Sequence, residues 1–134
     1  MPLILYHGIK KEDVIGNPRC FFIYTENEKK EGGKVYMREA QNCLPLTISK
    51  APSFSVEAQW TDSNYRENTT KFGRDVDKVV KCLDRRAIVF LESQFLQEEE
   101  NSIMADNAPR TLKFIKNTIS YLVEKYEPQY VKTD

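Results

Sequence analysis

The sequence predicts a single α/β domain with a mixed, mainly parallel sheet flanked by helices. Three observations carry that prediction. Two continuous apolar runs, residues 20–24 and 87–91, are rich in aromatic and β-branched side chains and have the length of buried strands. Two later segments repeat apolar residues at helical spacing: Phe72, Val76, Val79, Val80 and Leu83, then Leu112, Ile115, Ile119, Leu122, Val123 and Tyr126. Strand-like and helix-like segments also alternate along the chain, as they do where helices join parallel strands.

Residues 2–6 read as a first strand that Gly8 ends. Residues 9–18 read as a loop or a single helical turn closed by Gly16-Asn17-Pro18. The run 20–24 is the second strand, followed by a charged loop and Gly32-Gly33. Good helix formers predict about two helical turns over residues 34–41, a count set by ~3.6 residues per turn. Residues 43–48 return to strand character, and Pro45 places that strand at an edge or a bulge. Phe54, Val56, Ala58 and Trp60 alternate with polar residues, which predicts a half-buried strand, with an amphipathic helix as the alternative. Residues 61–70 are polar and read as a loop. The helix containing Phe72 ends at Asp84-Arg85-Arg86, and the strand 87–91 follows. Residues 92–107 read as a long polar connection holding Glu98-Glu99-Glu100. Asp106 and Asn107 as caps, with Pro109 in the first turn, open the last helix, and Pro128 stops it. The domain spans residues 1–127, and residues 128–134 form a tail.

Composition limits the function. The chain has 134 residues, 40% of them hydrophobic, with 20 basic and 20 acidic side chains. Zero net charge gives no global field toward nucleic acid or an anionic membrane. Apolar runs stay far below the roughly 20 residues of a membrane span, and the first residues lack a signal-peptide pattern, so the expected location is the cytoplasm. Cys20, Cys43 and Cys82 show no C-x-x-C spacing and His7 is the sole histidine, which points to reduced packing residues and to no metal site. No nucleophile–base pair stands out, so no catalytic residue and no cofactor is assigned.

In parallel sheets ligands sit beyond the carboxyl ends of the strands. Function is therefore sought after residues 20–24 and 87–91. Gly32-Gly33-Lys34 follows a strand and opens a helix, where backbone amides can meet an anion, although the spacing is not that of a P-loop. The candidate ligand residues are Thr25, Glu26, Asn27, Gly32, Gly33, Lys34, Lys50, Glu92 and Ser93. Glu26 and Glu92 end the two strands and could face each other across a cleft, or cap neighbouring helices. Lys29, Lys30, Lys34, Arg38 and Lys50 could form a basic patch around the glycine turn. Trp60, Asp62 and Tyr65 are the candidate protein-interaction residues, on an aromatic-rich face.

These segments resemble a small, uncharacterised family of phage and bacterial α/β proteins. Its pattern runs V-F-G-D-N, G-K-G-G-Q-A, an arginine, P-N-x-x-G-I-P-T-K and a closing A-P-x-T. Here Ile23-Tyr24-Thr25-Glu26-Asn27, Glu31-Gly32-Gly33-Lys34-Val35, Arg38, Asn42, Ile48-Ser49-Lys50-Ala51-Pro52 and Ala108-Pro109-Arg110-Thr111 take those places, and Trp60-Thr61-Asp62 takes that of an aromatic-polar-acidic step. The resemblance covers about residues 20–116 and extends distantly to macro domains, which implies a macro-like, Rossmann-like scaffold and an ADP-ribose-type ligand. Macro domains carry glycine-rich loops after two strands; here Glu92-Ser93-Gln94-Phe95-Leu96-Gln97 stands in place of the second, and side chains there stand in the way of a diphosphate. The first expectation is therefore a non-catalytic interaction protein, phage-encoded and acting in the host cytoplasm on a host or viral protein. The second is a module that binds or sequesters a nucleotide or ADP-ribose-like molecule. A third, hydrolytic reading would place Glu26 or Asp62 on a water. An apolar strand edge near Pro45 is compatible with a homodimer.

Overall fold

Strand side chains alternate between two faces, and the alternation divides the core in two. Ile23, Leu46, Leu3, Leu5, Val89 and Leu91 point to one side of the sheet, while Phe22, Tyr24, Cys43 and Phe90 point to the other. The structure, a computed structural model, describes residues 3–131. Its strands are β1 (Leu3–Tyr6), β2 (Phe21–Asn27), β3 (Cys43–Ser49), β4 (Val89–Glu92) and β5 (Gln129–Val131). Its helices are α1 (Lys11–Gly16), α2 (Val35–Glu39), α3 (Tyr65–Asp84), α4 (Glu98–Asn107) and α5 (Pro109–Tyr126).

The strands form one sheet in the order β3-β2-β4-β1-β5, and among the described residues every pairing is parallel, so the sheet there is all-parallel and not mixed. Val14 of α1 and Met37 of α2 cover one face together with the stacked rings of Phe22 and Phe90. α3, α4 and α5 cover the other, where Phe72, Val79, Leu83, Met104, Ile115 and Leu122 meet the strands. The result is a three-layer α/β/α sandwich. No helix among the described residues is long and apolar enough to cross a membrane.

Several expectations change. Residues 54–60 form no strand: Val56–Ala58 make one 3-10 turn, and only the Ala58–Trp60 end is buried. Within the expected loop 61–70, Asp62–Asn64 form a second 3-10 turn and α3 starts at Tyr65. The polar connection 92–107 contains α4, whose Glu100 carboxylate accepts the Gln97 N–H (2.9 Å) at its start. Gln129–Val131 pair with β1 as β5 instead of forming a tail. Pro2, expected in the first strand, and residues 132–134 lie outside the described residues.

β3 is an edge strand, as Pro45 suggested. Pro45 has no N–H to offer there, and the Thr47 N–H is accepted by Asp75 of α3 (2.8 Å). All three cysteines are free thiols, with Cys20 and Cys43 packed against one core cluster and Cys82 against the other. Burial pushes the Cys43 thiol up to about 11, so it stays protonated and inert near neutral pH.

Candidate functional site

The order of the strands creates a crevice. β2 and β4 are neighbours, yet the chain leaves β2 toward α2 on one face and leaves β4 toward α4 on the other. Divergence of adjacent connections opens a gap beyond the carboxyl ends of the strands, the usual ligand position in parallel sheets. Here the gap is a cleft of about 260 Å³.

The end of β2 forms its floor. Glu26 is 4% exposed and sits opposite Arg38 of α2 in a two-pronged ion pair, Nε to Oε2 and Nη2 to Oε1, each 2.7 Å. The Tyr24 hydroxyl (3.2 Å) and the Asn27 N–H (3.0 Å) also donate to this carboxylate. Burial alone would push the Glu26 carboxyl up. The Arg38 and Asn27 hydrogen bonds outweigh it and hold the group below its ordinary 4.5. Burial and then the Glu26 charge push the Tyr24 phenol up, so it remains a neutral donor.

Arg38 also fixes the loop between β2 and α2, its Nη2 donating to the carbonyls of Glu31 (3.3 Å) and Gly32 (2.9 Å). Asn27 holds the same loop from inside, its Nδ2 donating to the Glu31 carbonyl at 2.8 Å. Gly32 and Gly33 turn the chain with φ of +60° and +61°, a conformation side chains resist. At Gly32 a Cβ would also come within 3.2 Å of Pro52, so the glycine lets this loop touch the loop after β3.

That second loop forms the opposite rim. The N–H groups of Lys50 and Ala51 both donate to the Ala58 carbonyl (2.9 and 3.2 Å), which ties the ends of the loop together. Gln59 braces it from below by donating to the Ser53 carbonyl (2.8 Å). Phe54 lines the cleft but is 58% exposed. Phe95, Gln97, Glu100 and Met104 close the third side from the segment after β4.

Six of the nine nominated ligand residues line this cleft: Thr25, Glu26, Asn27, Gly33, Lys34 and Glu92. Gly32, Lys50 and Ser93 do not: Gly32 packs on Pro52, the Lys50 N–H closes the β3 loop and the Ser93 N–H donates to the Tyr6 carbonyl. Glu26 and Glu92 do not act as a pair. Glu26 belongs to Arg38, whereas Glu92 accepts the N–H groups of Gly8 (2.8 Å) and Ile9 (3.1 Å). Glu100 accepts the Gln97 N–H and, at 3.4 Å, the Thr25 hydroxyl. Each carboxylate in the lining is thus engaged by protein donors. The Lys34 ammonium, exposed at the rim, makes no hydrogen bond or ion pair with a described residue.

The aromatic face expected around Trp60 is not an outward surface. Trp60 is 2% exposed, and its indole N–H donates to Glu28 (2.9 Å), which also pairs with Lys71. Asp62 caps α5 through the N–H groups of Arg110 (2.8 Å) and Thr111 (2.9 Å). Tyr65 lies under the Arg110 guanidinium, 3.8 Å from ring centre to Cζ. These three residues join the 3-10 segment to α3 and α5. Among the described residues no group of three His, Cys, Asp or Glu side chains is arranged to hold a metal ion.

Among the lining residues not nominated from the sequence, Phe54, Gln59, Phe95, Gln97, Glu100 and Met104 come from segments read as an uncertain strand or a polar connection. The model of a family of unknown function, DUF7831, matches residues 4–118. The chain belongs to that family. In this DUF7831 member the matched stretch contains every residue nominated for binding. No curated protein and no solved structure gives a significant match to the chain.

Proposed function

We propose that the cleft binds a small anionic ligand of the nucleotide or ADP-ribose type and that the protein acts by binding rather than by catalysis. The observation that carries this reading is which charged groups of the lining already have partners. Glu26, Glu92 and Glu100 are all engaged by protein donors, while the Lys34 ammonium beside the Gly32-Gly33 turn has no partner among the described residues. A negative group at Lys34 would gain a partner without displacing one. The cleft is smaller than the roughly 300–1,000 Å³ that encloses a drug-sized ligand, so the ligand is seated by its charged end. The remainder lies toward Phe54, whose exposed ring offers an apolar face. The acids a hydrolytic reading would use are both occupied, Glu26 by Arg38 and Asp62 by the start of α5, which favours binding over turnover.

Native mass spectrometry of the purified protein and thermal-shift titrations with AMP, ADP-ribose and inorganic phosphate test this reading. A rise in Tm with a nucleotide, lost in Lys34→Ala while the unliganded Tm is unchanged, is the expected result. No shift with any of these at millimolar concentration would reject it. A second reading, a protein-binding module for a host or viral partner, is favoured by Phe54 and Val56, exposed by 58% and 67% on one loop.

A further inference from the structure

Zero net charge conceals a local separation. On α3, Lys71, Arg74, Lys78, Lys81 and, just past its end, Arg85 recur every three or four residues, and all five are exposed. At about 100° per residue they fall within an arc of roughly 80°, in a line about 21 Å long. Lys71 pairs with Glu28. The other four make no hydrogen bond or ion pair through their side chains with a described residue. Nearby acids are turned away from the line: Asp75 accepts the Thr47 N–H and Asp84 accepts the Tyr126 hydroxyl (2.7 Å). Glu67 is exposed within the same arc, one turn before Lys71, and Asp77 is exposed beside it.

The chemistry of the arc selects its partner. It holds no aromatic or aliphatic side chain, so it has no apolar centre of the kind protein interfaces carry. It has no ring on which an unpaired base could stack, and no apolar face to enter a bilayer. A straight file of cations, four of them without a partner among the described residues, suits a regular row of phosphates. We propose that the outer face of α3 docks on the phosphate backbone of duplex nucleic acid, independently of sequence. This contact lies apart from the cleft and does not depend on what the cleft binds.

Fluorescence anisotropy with a short labelled duplex, titrated with salt, tests the proposal. Four phosphate contacts give a slope of about −3.6 in log K against log salt, or a loss of roughly a hundredfold between about 50 and 200 mM. The double reversal Arg74→Glu/Lys81→Glu is expected to abolish detectable binding, and the milder Arg74→Gln/Lys81→Gln to flatten the slope by about 2. Reversal of Lys113 and Lys116, exposed on α5, serves as the control and should leave binding intact. No duplex binding at low salt would overturn the proposal, as would equal loss in the α5 control. Binding to a polyglutamate peptide, a single strand or anionic vesicles without binding to the duplex would overturn it as well.

Discussion

Trp60 shows how a residue can be prominent in a sequence for reasons of packing. Its indole fills the core and ties to Glu28 at the loop after β2, so it links the 3-10 segment to the sheet. Trp60→Ala is expected to destabilise the fold by about 3–5 kcal/mol, measured by urea unfolding, because removal of a large buried side chain leaves a cavity. Glu26 carries a different signature. Its folded carboxyl titrates below its unfolded value near 4.5, and Glu28 and Asp62 shift in the same direction. The unfolded chain therefore binds more protons in that window, and the stability these groups supply is present above it and declines as pH falls through the folded values. Unfolding free energy measured from pH 6 down to pH 3, a range set around the ordinary carboxylate values, should decline in the wild type and decline less steeply in Glu26→Gln.

At the level of elements, the features legible in the sequence were those whose whole length meets one environment. β2 and β4 are continuous apolar runs at the centre of the sheet, and α3 and α5 each bury a full stripe. α4 buries only Met104 completely and opens with three glutamates, so its sequence reads as a polar connection. The alternation at residues 54–60 misleads for a related reason: Phe54 and Val56 are exposed while Ala58 and Trp60 are buried, so the pattern marks a loop descending into the core. The site follows the same logic. The residues at the end of β2 could be read from a strand followed by a glycine turn, whereas Phe54 and Glu100 arrive from distant segments that carry no local signal of the cleft. The β3 edge adds a prediction of its own. Pro45 and the Asp75–Thr47 hydrogen bond deny a second chain two ladder positions, so Pro45→Thr/Asp75→Ala should self-associate in size-exclusion chromatography while the wild type does not do so through this edge.

Across the whole molecule, the cleft is assembled from three stretches of chain, residues 23–38, 48–59 and 92–104, held around one crevice by a parallel sheet. The order of that sheet has a consequence for how the protein is made. β1 comes first in the chain, but its two neighbours are β4 and β5, beginning at Val89 and Gln129. A ribosome therefore releases β1 long before its two partner strands exist for it to pair with. β2 and β3, joined by a short helix, can meet early, while the apolar residues Leu3 and Leu5 wait exposed until β4, which starts at Val89, has emerged. The centre of the sheet is closed late, and the interval before closure is when the nascent chain most needs a chaperone's shelter.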